Sequence, residues 1–275
     1  MTIVMAALNG TPVSRLVLAV AAEVARVIDA GIEGVHVLED RRGDSAIEAE
    51  TEAEAAARGI PVRMLEGAVE QMLVERARSD EVGAVVMGLR RFLGGSRPAG
   101  HVALGVIARV RKPVVVVPPV TPLGFRLRKV LVPVQRRPAD AFENTMAIAE
   151  SADLETVILH VRDEWSVPSF EDQPHYDVET WAEEFLARWV PGARAGTAIE
   201  LRVGTPEEQI LDVARDVEAD MIAMGWSQDL SPGRATVVRW ALEHTSIPLA
   251  LMPLARTAGA GLARGTDELG GRLSA

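Results

Sequence analysis

The run Ala84-Val85-Val86-Met87-Gly88, a polar loop, an amphipathic stretch and then Lys112-Pro113-Val114-Val115-Val116-Val117 decides the fold, because the chain contains it twice. The second occurrence is Ala219-Asp220-Met221-Ile222-Ala223-Met224-Gly225, again a polar loop and an amphipathic stretch, then Ile247-Pro248-Leu249-Ala250-Leu251-Met252. Working outward, the echo continues. Val35-His36-Val37-Leu38 matches Leu159-His160-Val161-Arg162, and Gly67-Ala68-Val69-Glu70 matches Gly204-Thr205-Pro206-Glu207. Val4-Met5-Ala6-Ala7-Leu8-Asn9 matches Val130-Leu131-Val132-Pro133-Val134-Gln135. Self-similarity of this kind means one structural unit used twice, so the functional question becomes what one unit does.

Each copy carries five short runs rich in Val, Ile and Leu. They cover residues 2–8, 33–38, 61–65, 84–88 and 113–118, then 129–134, 155–161, 198–203, 220–225 and 248–253. They hardly alternate between apolar and polar, as expected of strands buried on both faces. Between them lie helical stripes: Leu16, Val20, Val24 and Val27; Val69, Met72, Leu73 and Ala77; Ile210, Leu211, Val213, Ala214 and Val217. Thr11-Pro12, Ser45 to Glu48 and Thr205-Pro206-Glu207-Glu208 read as helix starts. Strands alternating with helices predict an α/β fold: two tandem domains, each an open five-stranded parallel sheet with helices on both faces. The expected boundaries are a first domain at 1–119, a linker at 120–127 within the stretch 119–128 that carries two prolines and a glycine, a second domain at 128–254 and a mobile tail at 255–275.

Composition narrows the function classes. The chain has 275 residues, a net charge of −10 and no cysteine. Disulfides, thiolate catalysis and cysteine metal sites are excluded. A general nucleic-acid or anionic-membrane binder needs clustered Lys and Arg, which the negative charge argues against. No apolar run approaches the roughly 20 residues of a membrane span, and the amino terminus has no basic region of a signal peptide. The expectation is a cytoplasmic protein.

In an open parallel sheet, ligands bind outside the carboxyl ends of the strands. The candidate site of the first copy is therefore Asn9, Val37 and Gly88, with Arg90, Arg91, Gly94, Gly95, Ser96, Arg97, Gly100 and His101 of the loop after Gly88. In the second copy the matching positions are Gln135, Val161, Gly225, Ala235 and Thr236. Gly88 and Gly225 are open to two readings, a turn or a phosphate cradle. The three arginines are open between a solvated loop and an anion site. His36 and His160 stand in buried strand ends and read as structural. Gly43-Asp44-Ser45 reads as a helix cap. No Ser-His-Asp set, metal-ligand spacing or carboxylate pair appears at the strand ends.

The strand ending at Asn9, the His-Val pairs, the helix start at Gly204 to Pro206, the glycine-containing loop after Gly88 and the closing Lys112-Pro113-Val114 run, together and in order, resemble the universal stress protein family over residues 1–118 and 128–254. The resemblance implies ATP binding, as in many members, and pairing through the fifth strands. It implies a Gly-x-x-Gly-x9-Gly-Ser/Thr loop whose bare backbone approaches phosphate oxygens. Here Arg91 and Gln228 replace the second glycine, Gly100-His101 and Ala235-Thr236 stand for the Gly-Ser/Thr pair, and Asn9 and Gln135 replace the Asp that contacts the nucleoside. Trp226, next to Gly225, is expected to crowd the phosphate path. The expectation is a stress-response binding protein with an adenine nucleotide in the first copy, a degenerate second site, and weak ATPase activity at most. The two copies would form an intramolecular pseudo-dimer through their last strands, with homodimerisation left open. The alternative is a scaffold protein that binds no nucleotide.

Overall fold

A computed structural model gives the architecture; it describes residues 1–38, 45–89, 101–134, 153–162, 197–231 and 233–254. The first half runs β1 (Ile3–Leu8), α1 (Val13–Val27), β2 (Gly31–Leu38), α2 (Ser45–Ala56), β3 (Val62–Glu66), α3 (Val69–Ala77), β4 (Val82–Gly88), α4 (His101–Arg109) and β5 (Val114–Val117). The second half supplies β6 (Lys129–Pro133), β7 (Glu155–Arg162), β8 (Ala198–Val203), α5 (Pro206–Asp216), β9 (Met221–Trp226), α6 (Thr236–His244) and β10 (Leu249–Pro253). All ten apolar runs are strands, with ends shifted by two residues at most from the sequence reading.

Among the described residues the strands form one ten-stranded sheet in the order β3-β2-β1-β4-β5-β10-β9-β6-β7-β8. The order within β1–β5 recurs within β6–β10. Every neighbouring pair is parallel except the central one, where Leu249, Ala250 and Leu251 run antiparallel to Val116, Val115 and Val114. Both strands are buried on both faces, so each would otherwise leave a hydrophobic edge with unpaired amides and carbonyls.

The two faces of the sheet carry two cores. One lies under α3, α4, α5 and α6 and includes Leu73, Val106, Val213 and Leu242. The other lies under α1 and includes Leu18, Val20 and Val24, together with Val130, Val132 and Ala223 of the second half. Each core therefore runs through both halves without a break. Leu16, Val20, Val24 and Val27 are all buried, as their spacing predicts.

The proline-rich connector is more than a tether. Phe125 and Leu127 are buried in the second core, while Arg126 turns outward. Alternation over Phe125-Arg126-Leu127 lets an extended segment bury two side chains and expose the one between. Glu23 on α1 holds it. Its carboxylate accepts from the Leu127 amide (3.2 Å), Arg126 Nη1 (2.8 Å) and Arg26 Nη2 (3.2 Å), and Arg26 Nη2 also donates to the Leu127 carbonyl. From the other side, Asp220 Oδ2 accepts from the amides of Arg128 and Lys129, both at 2.9 Å.

Helix starts are partly as expected. Pro206 opens α5, but Thr205 Oγ1 donates to the Glu208 carboxylate rather than capping the backbone. At α1 the helix begins at Val13, one residue later than the sequence suggests, because Asn9 organises the turn before it. No described helix is long and apolar enough to cross a membrane.

Two expected outcomes follow from this packing. Leu249 is fully buried at the seam between the halves, so Leu249→Ala should cost about 2–5 kcal/mol in denaturant unfolding. Because both cores span the seam, the whole chain should still unfold in one transition; two separate transitions would contradict a shared core. Glu23 supplies the second. Burial acts to raise its carboxyl, and the Leu127 amide with Arg126 and Arg26 outweighs burial, leaving it below the ordinary 4.5. A carboxyl held low in the folded state contributes stability above its unfolded value and loses it as pH falls through the folded one. Stability should therefore decline with acidification below about pH 4.5, and Glu23→Gln should flatten that decline while lowering stability at pH 7. An unchanged slope would remove Glu23 from the account; Glu33, held low by Arg76 and Arg63 against burial, supplies a remaining slope.

Candidate functional site

The sheet order fixes where a ligand crevice can open. β1 lies between β2 and β4, with Ala7 opposite Met87. The chain leaves β1 toward α1 on one face and leaves β4 toward α4 on the other. Exits to opposite faces from adjacent strands open a crevice at their carboxyl ends. Asn9, Val37 and Gly88 lie at the ends of β1, β2 and β4, so the structure brings these three together as the sequence reading requires. Arg90, Arg91, Gly94, Gly95, Ser96, Arg97 and Gly100 lie outside the described residues, as do Gly43, Asp44, Gln135, the tail from 255 and the side chain of His101.

Asn9 is committed to its own turn. Its Oδ1 accepts from the Thr11 amide (3.2 Å), Thr11 Oγ1 (2.7 Å) and Ser14 Oγ (3.2 Å). Its backbone amide donates to Ser14 Oγ at 3.1 Å. The backbone donor at Thr11 fixes which end of the side-chain amide is oxygen. Gly10, at φ +68, makes the bend that a side chain would strain. The sequence reading passes over Ser14; it is buried, and a hydroxyl on an apolar helix stripe is the signal that something is being tied down.

Val37 buries its side chain in the core, so only its backbone faces the crevice end. Gly88 has a packing role that its two sequence readings do not include. A Cβ there would lie 2.7 Å from Val13 Cγ1, so glycine lets the start of α1 close onto β4, and its φ is not left-handed. His36 donates from Nδ1 to the Leu8 carbonyl (3.0 Å), and His160 makes the equivalent bond to the Val134 carbonyl (3.2 Å). Both imidazoles pin the second strand of a half to the end of its first, which is the structural role read from sequence.

In the second half, Val161 and Gly225 end β7 and lie within β9, two strands on either side of β6. Trp226 is buried in the first core, so its indole fills the protein interior and does not project into the loop. The expected crowding of a phosphate path by this side chain is thereby corrected: strand alternation turns Trp226 to the same face as Met224 and Ile222. Gln228 and Ala235 hold left-handed backbone at φ +58 and φ +53. They stand where the family loop has glycines, so the backbone keeps a glycine conformation at a cost of about 1 kcal/mol per residue. Thr236 opens α6. Gln228 does something its sequence position does not reveal. Its Nε2 donates to the carbonyls of Ile107 (3.0 Å) and Val110 (2.7 Å), at the end of α4 in the other half.

Among the described residues no group of three or more His, Asp and Glu side chains could hold a metal ion. The first turn of α1 carries no acidic residue, and the amides of Ser14 and Arg15 donate to the carbonyls of Thr11 and Pro12.

The model of the universal stress protein family matches residues 126–251. A universal stress protein from Archaeoglobus fulgidus shares the fold at TM-score 0.63 and 16% identity, covering 91% of this chain and 98% of its own. A putative universal stress protein from Pseudomonas aeruginosa does so at TM-score 0.63 and 15% identity, covering 92% and 94%. A universal stress protein family protein from Arabidopsis thaliana, solved with AMP bound, matches 47% of this chain and 93% of its own at 19% identity and TM-score 0.30. No curated protein matches. The match falls on the half whose loop motif departs further from the family pattern, because a family model sums over the whole unit and a loop motif over a few positions. Residues 126–251 therefore match the universal stress protein family, and along its length the chain shares the fold of a solved universal stress protein.

Proposed function

We propose a stress-response binding protein in which the first domain, residues 1–119, holds an adenine nucleotide, ATP, in the crevice outside β1 and β4. The second domain, 128–254, then serves as its built-in partner. On this reading 120–127 is the linker, 255–275 a tail, and the antiparallel β5–β10 seam makes the chain an intramolecular pseudo-dimer acting in the cytoplasm. The observation that carries the reading is the switch point itself. Asn9, Val37 and Gly88 end three adjacent strands, and the chain leaves β1 and β4 on opposite faces.

Physical chemistry supports an anionic ligand there. The amino end of α4 follows the loop after β4, and a helix amino terminus offers unpaired amides and a positive dipole end to phosphate. The Asn9 side-chain amide has no partner among the described residues and can donate to a ligand oxygen or ring nitrogen. Arg90, Arg91 and Arg97 would carry phosphate charge in place of the absent second glycine. No hydrolytic role is proposed: Asn9 cannot act as a base, and His36 is committed through Nδ1 to a backbone carbonyl.

A second reading has its own support. The Asn9 oxygen is consumed within its own turn, and the matching loop of the second half is spent on α4. On that reading neither half binds nucleotide and the chain acts through its surfaces.

Mass spectrometry of purified, denatured protein should release an adenine nucleotide, and calorimetry of the emptied protein should show one ATP site. Substituting Arg90, Arg91 and Arg97 together by Ala should weaken that site at least tenfold, on the order of 1.5–3 kcal/mol per lost charge-assisted contact, with circular dichroism unchanged. Absence of both released nucleotide and ATP affinity decides for the scaffold reading.

A further inference from the structure

The loop after β9 has the position of a ligand loop but makes its described contact in the other half. Gln228 is 121 residues from Ile107 and 118 from Val110, yet its one side-chain amide donates to both carbonyls. Both acceptors lie at the carboxyl end of α4, where a helix leaves carbonyls without intrahelical partners. The Ile107 and Val110 side chains are buried in the first core, so water has poor access to this end, and an unmet carbonyl there carries a desolvation cost. The amide has two hydrogens and uses both. The loop that carries it is braced: Arg239 Nη2 on α6 donates to the Leu230 carbonyl at 3.0 Å, and Asp229 Oδ1 accepts from the Ser231 amide at 2.9 Å. Gln228 itself holds a left-handed φ of +58, a strained backbone for a residue with a Cβ.

We propose that this second-half loop positions α4, and that Gln228 is the positioning residue through which one half sets the geometry of the other half's crevice. α4 is one short rod, His101–Arg109, roughly 13 Å long at about 1.5 Å per residue. Fixing its carboxyl end therefore fixes where its amino end meets the loop after β4. As far as the ligand is concerned, this rests on the nucleotide reading above; the clamp on α4 does not.

The test uses the full chain with Q228A, Q228E and Q228K. Glutamate keeps the shape but has no donor and sets a negative charge against a helix carboxyl end; lysine restores a donor and a favourable charge. Amide hydrogen exchange should show the last turn of α4 opening about tenfold more often in Q228A, more still in Q228E, and near the wild-type rate in Q228K. ATP affinity should fall in the same order, about three- to tenfold in Q228A, with the stoichiometry unchanged. Wild-type α4 exchange in Q228E overturns the proposal. So does faster exchange with unaltered ATP affinity in a chain that binds ATP. If the wild-type chain binds no ATP, the nucleotide reading fails by itself, and the order of exchange rates across the three variants still decides whether Gln228 positions α4.

Discussion

The antiparallel pairing of β5 with β10 is the constraint on which the rest of the molecule depends. Val114–Val117 and Leu249–Met252 are apolar on both faces. A strand of that kind cannot stand at an edge, because its amides and carbonyls would be unpaired and its side chains would template association. Pairing the two removes both liabilities and turns two sets of five strands into one sheet. The same contact merges the helices on each face over continuous cores, and brings the loop after β9 within reach of α4.

The connector is subject to that constraint. Once β5 and β10 are joined, the chain must travel from Val117 to Lys129 along the face that α1 covers. Phe125 and Leu127 use that path to fill the second core. Glu23 and Asp220, one from each half, then take the backbone amides that the extended segment would leave unmet. A buried carboxylate is costly unless its oxygens are occupied, and Glu23 meets that condition with two arginines and an amide. These contacts register the connector, and because they hold the Glu23 carboxyl low they also contribute stability at pH above its unfolded value.

What the sequence made legible is what short-range pattern determines. Unalternating Val, Ile and Leu runs mark doubly buried strands, and the stripe Leu16, Val20, Val24 and Val27 marks the buried face of α1. The repeat made the halves visible, and the two histidines were recognisable as structural from their place at buried strand ends. The rest depends on neighbours distant in sequence. Nothing around Gly88 reveals that Val13 will lie where its Cβ would be. Nothing around Gln228 reveals an acceptor more than a hundred residues away. Trp226 illustrates a third kind of miss: proximity to Gly225 in sequence suggested a side chain in the loop, whereas strand alternation sends it to the core. Asn9 lies between these cases, since its position at a strand end was legible and its engagement with Ser14 was not.

The two halves also separate what the fold requires from what a ligand would require. Gly67 and Gly204 have matching φ values of +137 and +138, and His36 and His160 bond equivalent backbone carbonyls, Leu8 and Val134, at the end of the neighbouring strand. These paired features hold a sheet together whatever binds to it. At Gln228 and Ala235 the backbone keeps its left-handed turn although a Cβ opposes it. A loop that only needed to connect β9 to α6 could relax that strain with another path. In this loop the left-handed turn at Gln228 goes together with delivery of its side-chain amide to both α4 carbonyls. Two hydrogen bonds at a poorly hydrated helix end, each worth about 1 kcal/mol, are enough to offset the strain. On the proposed reading, the contact with the opposite half is what compensates this loop for its strained backbone.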